Sequence, residues 1–222
     1  MVKFRKELLM KYLSVVVLLL VIGCGQPTKT KFEPDEPVFI EIQGQGDYTH
    51  VSSGIELPPE VGDFKRVRMR SYDASTKNIS AEYELKSMGF KAALITVYIY
   101  PVAMIGYGDK VSLNDHFEQV KKALLDIYPD AAEIAEGTIT IGQPWGPVTG
   151  SALTFDYKSK RKKEFGKKLC NSRAYLFEHG PWFIKYRITY PKKNHSKVDG
   201  KINEFMHSLT WPKLEQKQSD TD

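Results

Sequence analysis

The 222-residue chain carries 32 Lys and Arg against 27 Asp and Glu, a formal net charge of +5, with 41% hydrophobic residues and two cysteines. Lys3, Arg5, Lys6 and Lys11 stand against the single acid Glu7 in residues 1–23, so without that segment the charge falls by three to +2, too near neutrality to point to a nucleic-acid partner. Two cysteines exclude a disulfide framework, and the length supports one sizeable core, hence one domain.

The basic segment leads into an uncharged apolar run over residues 12–23, shorter than the roughly 20 residues that a membrane-spanning helix needs. Basic residues, an apolar stretch and a small residue, in that order, are the layout of a secretory signal peptide. The run closes on Val21, Ile22, Gly23 and Cys24, which resembles the lipobox of bacterial lipoproteins. The resemblance implies cleavage before Cys24, acylation of its thiol, and a lasting membrane anchor, because two or more acyl chains hold firmly. An ordinary signal peptide or an uncleaved amino-terminal helix is the alternative. Gly25 follows the cysteine, where aspartate would resemble an inner-membrane retention signal. The expected location is therefore the periplasmic side of the outer membrane, if the source has one.

Residues 24–54 are rich in Gly, Pro, Thr and Gln and read as a lipidated cysteine followed by a flexible tether, with at most a short strand at 39–42. A single domain is expected over 55–212 and a disordered tail over 213–222.

Within the domain, residues 64–73 (FKRVRMRSYD) predict a strand with Val67 and Met69 on one face and Arg66, Arg68 and Arg70 on the other. Ile79, Ala81, Tyr83 and Leu85 alternate with polar residues, the mark of a half-buried strand, whereas 92–100 (AALITVYIY) is apolar on both faces and predicts an interior strand. Ser112 is placed to cap a helix in which Leu113, Phe117, Val120, Leu124, Ile127 and Tyr128 recur at helical spacing before Pro129 stops it. Further strands are expected over 138–142, 148–157, 169–178 and 182–190, the last two joined by a tight turn at His179, Gly180 and Pro181. Trp182, Ile184, Tyr186, Ile188 and Tyr190 share one face of the last strand. A closing helix bears Val198, Ile202, Phe205, Met206 and Leu209 on one stripe, capped by Trp211.

Strands, helix, strands, helix predict an α+β fold, an antiparallel sheet with helices packed on it. The order of elements, LPPEVGDFKRVRMRSYD (57–73), ALITVYIYP (93–101), WFIKYRITYP (182–191) and LTWP (209–212) resemble exported bacterial proteins of the PsbP/Mog1-like fold over about residues 55–212. The resemblance implies a non-enzymatic binding or assembly role. It carries over no binding residue.

The sequence holds no Gly-x-Ser-x-Gly elbow, His-Glu-x-x-His pair, phosphate-binding glycine loop or Cys-x-x-Cys. His50, His116, His179, His195 and His207 are scattered, so neither a metal, a cofactor nor a hydrolytic triad at Ser151 or Cys170 is expected. Cys170 reads as a small buried hydrophobe or, left without a partner, as a thiol open to an intermolecular disulfide. Tyr107, in the IGYGDK loop (105–110), is a candidate recognition residue or simply part of a glycine turn. Trp145, in GQPWGPVTG (142–150), is either a recognition element or folded back onto the sheet. Residues 158–168 carry Lys158, Lys160, Arg161, Lys162, Lys163, Lys167 and Lys168 against Glu164, either a contact for an anionic surface or acidic envelope protein, or a solvated hairpin tip. The expected function is a membrane-anchored envelope lipoprotein acting as a binding or assembly module, with an unrecognised envelope hydrolase as the alternative.

Overall fold

The structure is a computed structural model describing residues 39–105, 111–159 and 165–214. Four two-residue strands, β1 (Ile40–Glu41), β2 (Tyr48–Thr49), β3 (Glu56–Leu57) and β4 (Glu60–Val61), precede the long ones. Then follow β5 (Phe64–Ser71), β6 (Ile79–Ser87), β7 (Phe90–Pro101), α1 (Leu113–Ile127), β8 (Ala132–Gln143), β9 (Gly146–Lys158), β10 (Leu169–His179), β11 (Trp182–Pro191) and α2 (His195–Ser208). Nine strands form one antiparallel sheet in the order β1-β5-β6-β7-β11-β10-β9-β8, with β4 paired to β5, while β2 and β3 pair separately. This is the expected α+β arrangement.

One helix covers each face, because β7 is apolar on both sides and must be buried twice. On one face α2 packs Val198, Ile202, Phe205 and Met206 against Phe64, Tyr83, Ile95, Tyr186 and Ile188. The Phe205 ring meets Phe64 and Tyr83 edge-on, with centroids 5.2 and 5.0 Å apart. On the other face α1 packs Phe117 and Val120 over Leu153, Phe155, Leu176 and Phe183. Ser112 caps α1 as expected, its Oγ accepting from the Asp115 N–H at 3.1 Å. Ile127, expected on the buried stripe, is exposed at the last turn.

The carboxyl-terminal segment is locked by side chains. The Trp211 N–H donates to Gln143 Oε1 at 2.8 Å, its indole donates to the Tyr186 hydroxyl at 3.3 Å, and the ring lies edge-on to Phe177.

Three expectations are corrected. Residues 39–54, read as tether, belong to the folded unit that starts at Phe39. Within them β1 pairs with Arg70 and Ser71, and His50 is fully buried, bonded to Ser53 Oγ at 2.7 Å and the Thr76 carbonyl at 3.0 Å, with its ring 5.0 Å from Trp182. Secondly, the three arginines of β5 do not share a face. A bulge between Arg66 and Arg68 pushes Val67 outward to 46% exposure. It sets Arg66 opposite buried Tyr83 but Arg68 opposite Glu82, on the other side. Arg66 then donates to the carbonyls of Leu57 and Gly46. Thirdly, residues 142–150 are no open loop: β8 starts at Ala132 rather than 138 and turns directly into β9, with Gln143 opposite Gly146.

Candidate functional site

Antiparallel topology brings chain segments far apart in sequence to one end of the sheet. The β6–β7 turn, the start of β10, the ends of β9 and β11 and the start of α2 all lie there, as Ser87 opposes Phe90, Leu169 opposes Lys158, and Cys170 opposes Pro191. Arg173, largely buried, fixes α2 to this end by binding Asp199 at 2.5 Å and the Tyr190 hydroxyl at 2.8 Å. Asn194 donates to the Ala92 carbonyl at 3.4 Å.

Lys86, Lys158, Lys167, Lys168, Lys193 and Lys197 converge here, all exposed. Lys91, Lys192 and Lys201 join them but are held by Glu84, Asp156 and Asp63. Among the described residues no carboxylate lies within ion-pair distance of Lys86, Lys168, Lys193 or Lys197. A cavity of about 510 Å³ opens between the β6–β7 hairpin and α2, floored by Leu85, Ala92, Pro191 and Val198 and rimmed by lysines. Such a concentration of one sign raises the local potential and draws anions.

Of the residues singled out in the sequence, Lys158, Lys167 and Lys168 thus sit at this end, where the Ser159 N–H donates to the Lys168 carbonyl at 3.0 Å. Lys160, Arg161, Lys162, Lys163, Tyr107 and Cys24 lie outside the described residues. Trp145 is elsewhere, at the β8–β9 turn. Its indole donates to the Trp211 carbonyl at 3.0 Å and stacks on His179 with centroids 5.6 Å apart, leaving 36% exposed. Of its two readings, it folds back onto the sheet. Cys170 is fully buried in the α1-side core, its thiol directed at the Lys168 carbonyl at 3.6 Å, so in the folded protein it is shielded from an intermolecular disulfide. The lysines of α2 and of the β6–β7 hairpin went unnoticed in the sequence, being spread thinly over separate segments.

A second group of cations lies on the α1 side of the sheet. The Lys185 ammonium lies over the Tyr98 ring, and the Arg187 guanidinium stacks over Phe155 and Tyr128, 4.8 and 5.4 Å from their centroids. Both Arg187 terminal nitrogens are buried without a hydrogen-bond partner among the described residues. Burial first, and the Arg187 charge second, push the Lys185 ammonium down to about 8. His116, bonded to the Tyr100 hydroxyl at 2.8 Å and packed on Phe183, is pushed down to about 4 by burial and then by the Lys185 charge. Among the described residues no group of three His, Cys, Asp or Glu could hold a metal. No described helix is long and apolar enough to cross a membrane.

No protein-family model matches the chain, and no curated protein matches it. Among solved structures it is similar to PA94 of Pseudomonas aeruginosa, a protein of unknown function, at 15% identity and a TM-score of 0.47, over 68% of this chain and 97% of that one. It is also similar to the PsbP of Synechocystis sp. PCC 6803, at 10% identity and a TM-score of 0.42, over 86% of this chain and 99% of that one.

Proposed function

We propose that the protein is an exported, lipid-anchored binding module of the bacterial cell envelope, held by acylated Cys24 and turning the basic end of its sheet toward an anionic envelope surface. The observation that carries this reading is the convergence of exposed lysines from separate segments at one end, in a chain whose first 24 residues have the layout of a lipoprotein signal. Exposed lysines around an apolar floor are the chemistry of adhesion rather than of bond breaking. Acylation of Cys24 adds the firm hold that a +2 mature chain lacks, since each buried methylene contributes about 0.8 kcal/mol.

Metabolic labelling with a radioactive fatty acid tests the reading. The wild type is expected to take up label and fractionate with membranes, and Cys24→Ser to take up none and keep its signal segment. Undiminished label in Cys24→Ser, or none in the wild type, overturns the anchor.

A further inference from the structure

The β6–β7 hairpin carries a tip that packing does not explain. Its two turn residues, Met88 and Gly89, have φ of +51° and +78°, with Ser87 opposite Phe90, the geometry of a type I′ turn. Asn-Gly is the preferred pair there, because a left-handed backbone crowds a side chain that cannot bond it locally. Methionine takes the strained position instead, and it is 94% exposed; Phe90 beside it is 78% exposed. Neither the turn nor the core gains from these two side chains, and an outlier of this kind points to function. Leu169, 52% exposed, lies at the same end.

Lysines surround the tip. Lys86 and Lys91 flank it in sequence, and Lys168, Lys193 and Lys197 rim the adjoining 510 Å³ cavity, which Met88 and Phe90 also line. The carboxylates facing the cavity's lysines are already engaged, Glu84 with Lys91 and Asp63 with Lys201. We infer that this end docks on an anionic phospholipid bilayer, with Met88 and Phe90 dipping into the acyl boundary while the cavity and its lysines hold phosphate headgroups. The inference rests on the reading of the basic end given above and names its partner. Two features select a bilayer over an acidic protein. The apolar residues stand on an exposed hairpin tip, and lysines flank them and line the cavity beside them. That is the layering of an interfacial anchor, apolar groups below the headgroups and ammonium groups level with them.

The test uses the full chain, with Phe90→Cys labelled by an environment-sensitive nitrobenzoxadiazole dye, mixed with vesicles of phosphatidylcholine alone or of phosphatidylcholine with phosphatidylglycerol. Val51→Cys, exposed near Trp182 at the other end of the sheet, is the reference. The expected result is a blue-shifted, brightened emission at residue 90 only with the anionic vesicles. It should be absent at residue 51, and lost when Lys86, Lys193 and Lys197 are changed to Gln. Flotation with phosphatidylcholine alone reports the Cys24 anchor separately. A chain that floats on both vesicles with residue 90 still in water overturns the docking and spares the anchor. One that fails to float on phosphatidylcholine but responds at residue 90 to phosphatidylglycerol supports the docking and removes the anchor. Equal responses to both vesicles overturn the role given to anionic headgroups, and a response to soluble polyglutamate instead overturns the bilayer assignment.

Discussion

The Lys185 ammonium lies 4.4 Å from the centroid of the Tyr98 ring and 5.6 Å from that of Tyr100. A cation over a ring is favourable, while burial first, and the neighbouring Arg187 second, act the other way and push the Lys185 pKa down to about 8. Below pH 8 the lysine is charged in both the folded and the unfolded chain, so the folded state bears the full cost. Above about 10.5 it is neutral in both, and the cost vanishes. Lys185→Met should therefore stabilise the protein by about 1–2 kcal/mol at pH 7, within the range found when buried charges become apolar. The gain should fade as pH rises from 8 toward 10.5. Urea unfolding at pH 7 and pH 10 measures it, and a loss of stability at pH 7 would refute it.

His116 works in the opposite pH range. Its folded pKa of about 4 lies below the ordinary 6.5, so between those values the unfolded chain binds the extra proton and stability falls as pH falls. The loss approaches about 3 kcal/mol by pH 4. His116→Phe keeps the ring on Phe183 but cannot titrate. Its melting temperature should depend less on pH between 4 and 6.5 than that of the wild type, at the expense of about 1 kcal/mol at pH 7 for the unpaired Tyr100 hydroxyl. Parallel melting curves for the two proteins across that range would show that His116 does not couple folding to protons.

Gly150 is required by close approach. A Cβ there would stand 2.3 Å from the Leu176 carbonyl oxygen and 2.5 Å from the Phe177 ring, and a backbone atom in a central strand cannot step aside. Gly150→Ala should cost about 3 kcal/mol, a melting-temperature drop on the order of 10 °C for a domain of this size. Differential scanning calorimetry decides the point; a drop of a degree or two would mean that β9 and β10 shift apart freely.

Much of the fold was legible because its long elements obey simple periods. Residues 79–85 alternate, 92–100 are doubly apolar, and α1 begins at a serine cap. What escaped detection depends on distant contacts. Residues 39–54 look like a linker by composition, and only the pocket made by Thr76 and Trp182 gives His50 a reason to be ordered. The bulge at Val67 reversed the expected side of Arg66, since one inserted residue flips every side chain beyond it. The basic end was half visible: the run at 158–168 declares itself by density, but Lys86, Lys193 and Lys197 become neighbours only when β7 and β11 pair.

The closing position of α2 and Trp211 also bears on when the chain can fold. Phe64, Tyr83 and Tyr186 find their cover in Phe205 and Trp211, which follow all eleven strands in the chain, so a growing chain leaves that face of the sheet bare until α2 has emerged. Pairings this distant in sequence also form slowly. A chain from which α2 has not yet emerged would thereby stay loose, and would lock shut only once that helix is in place.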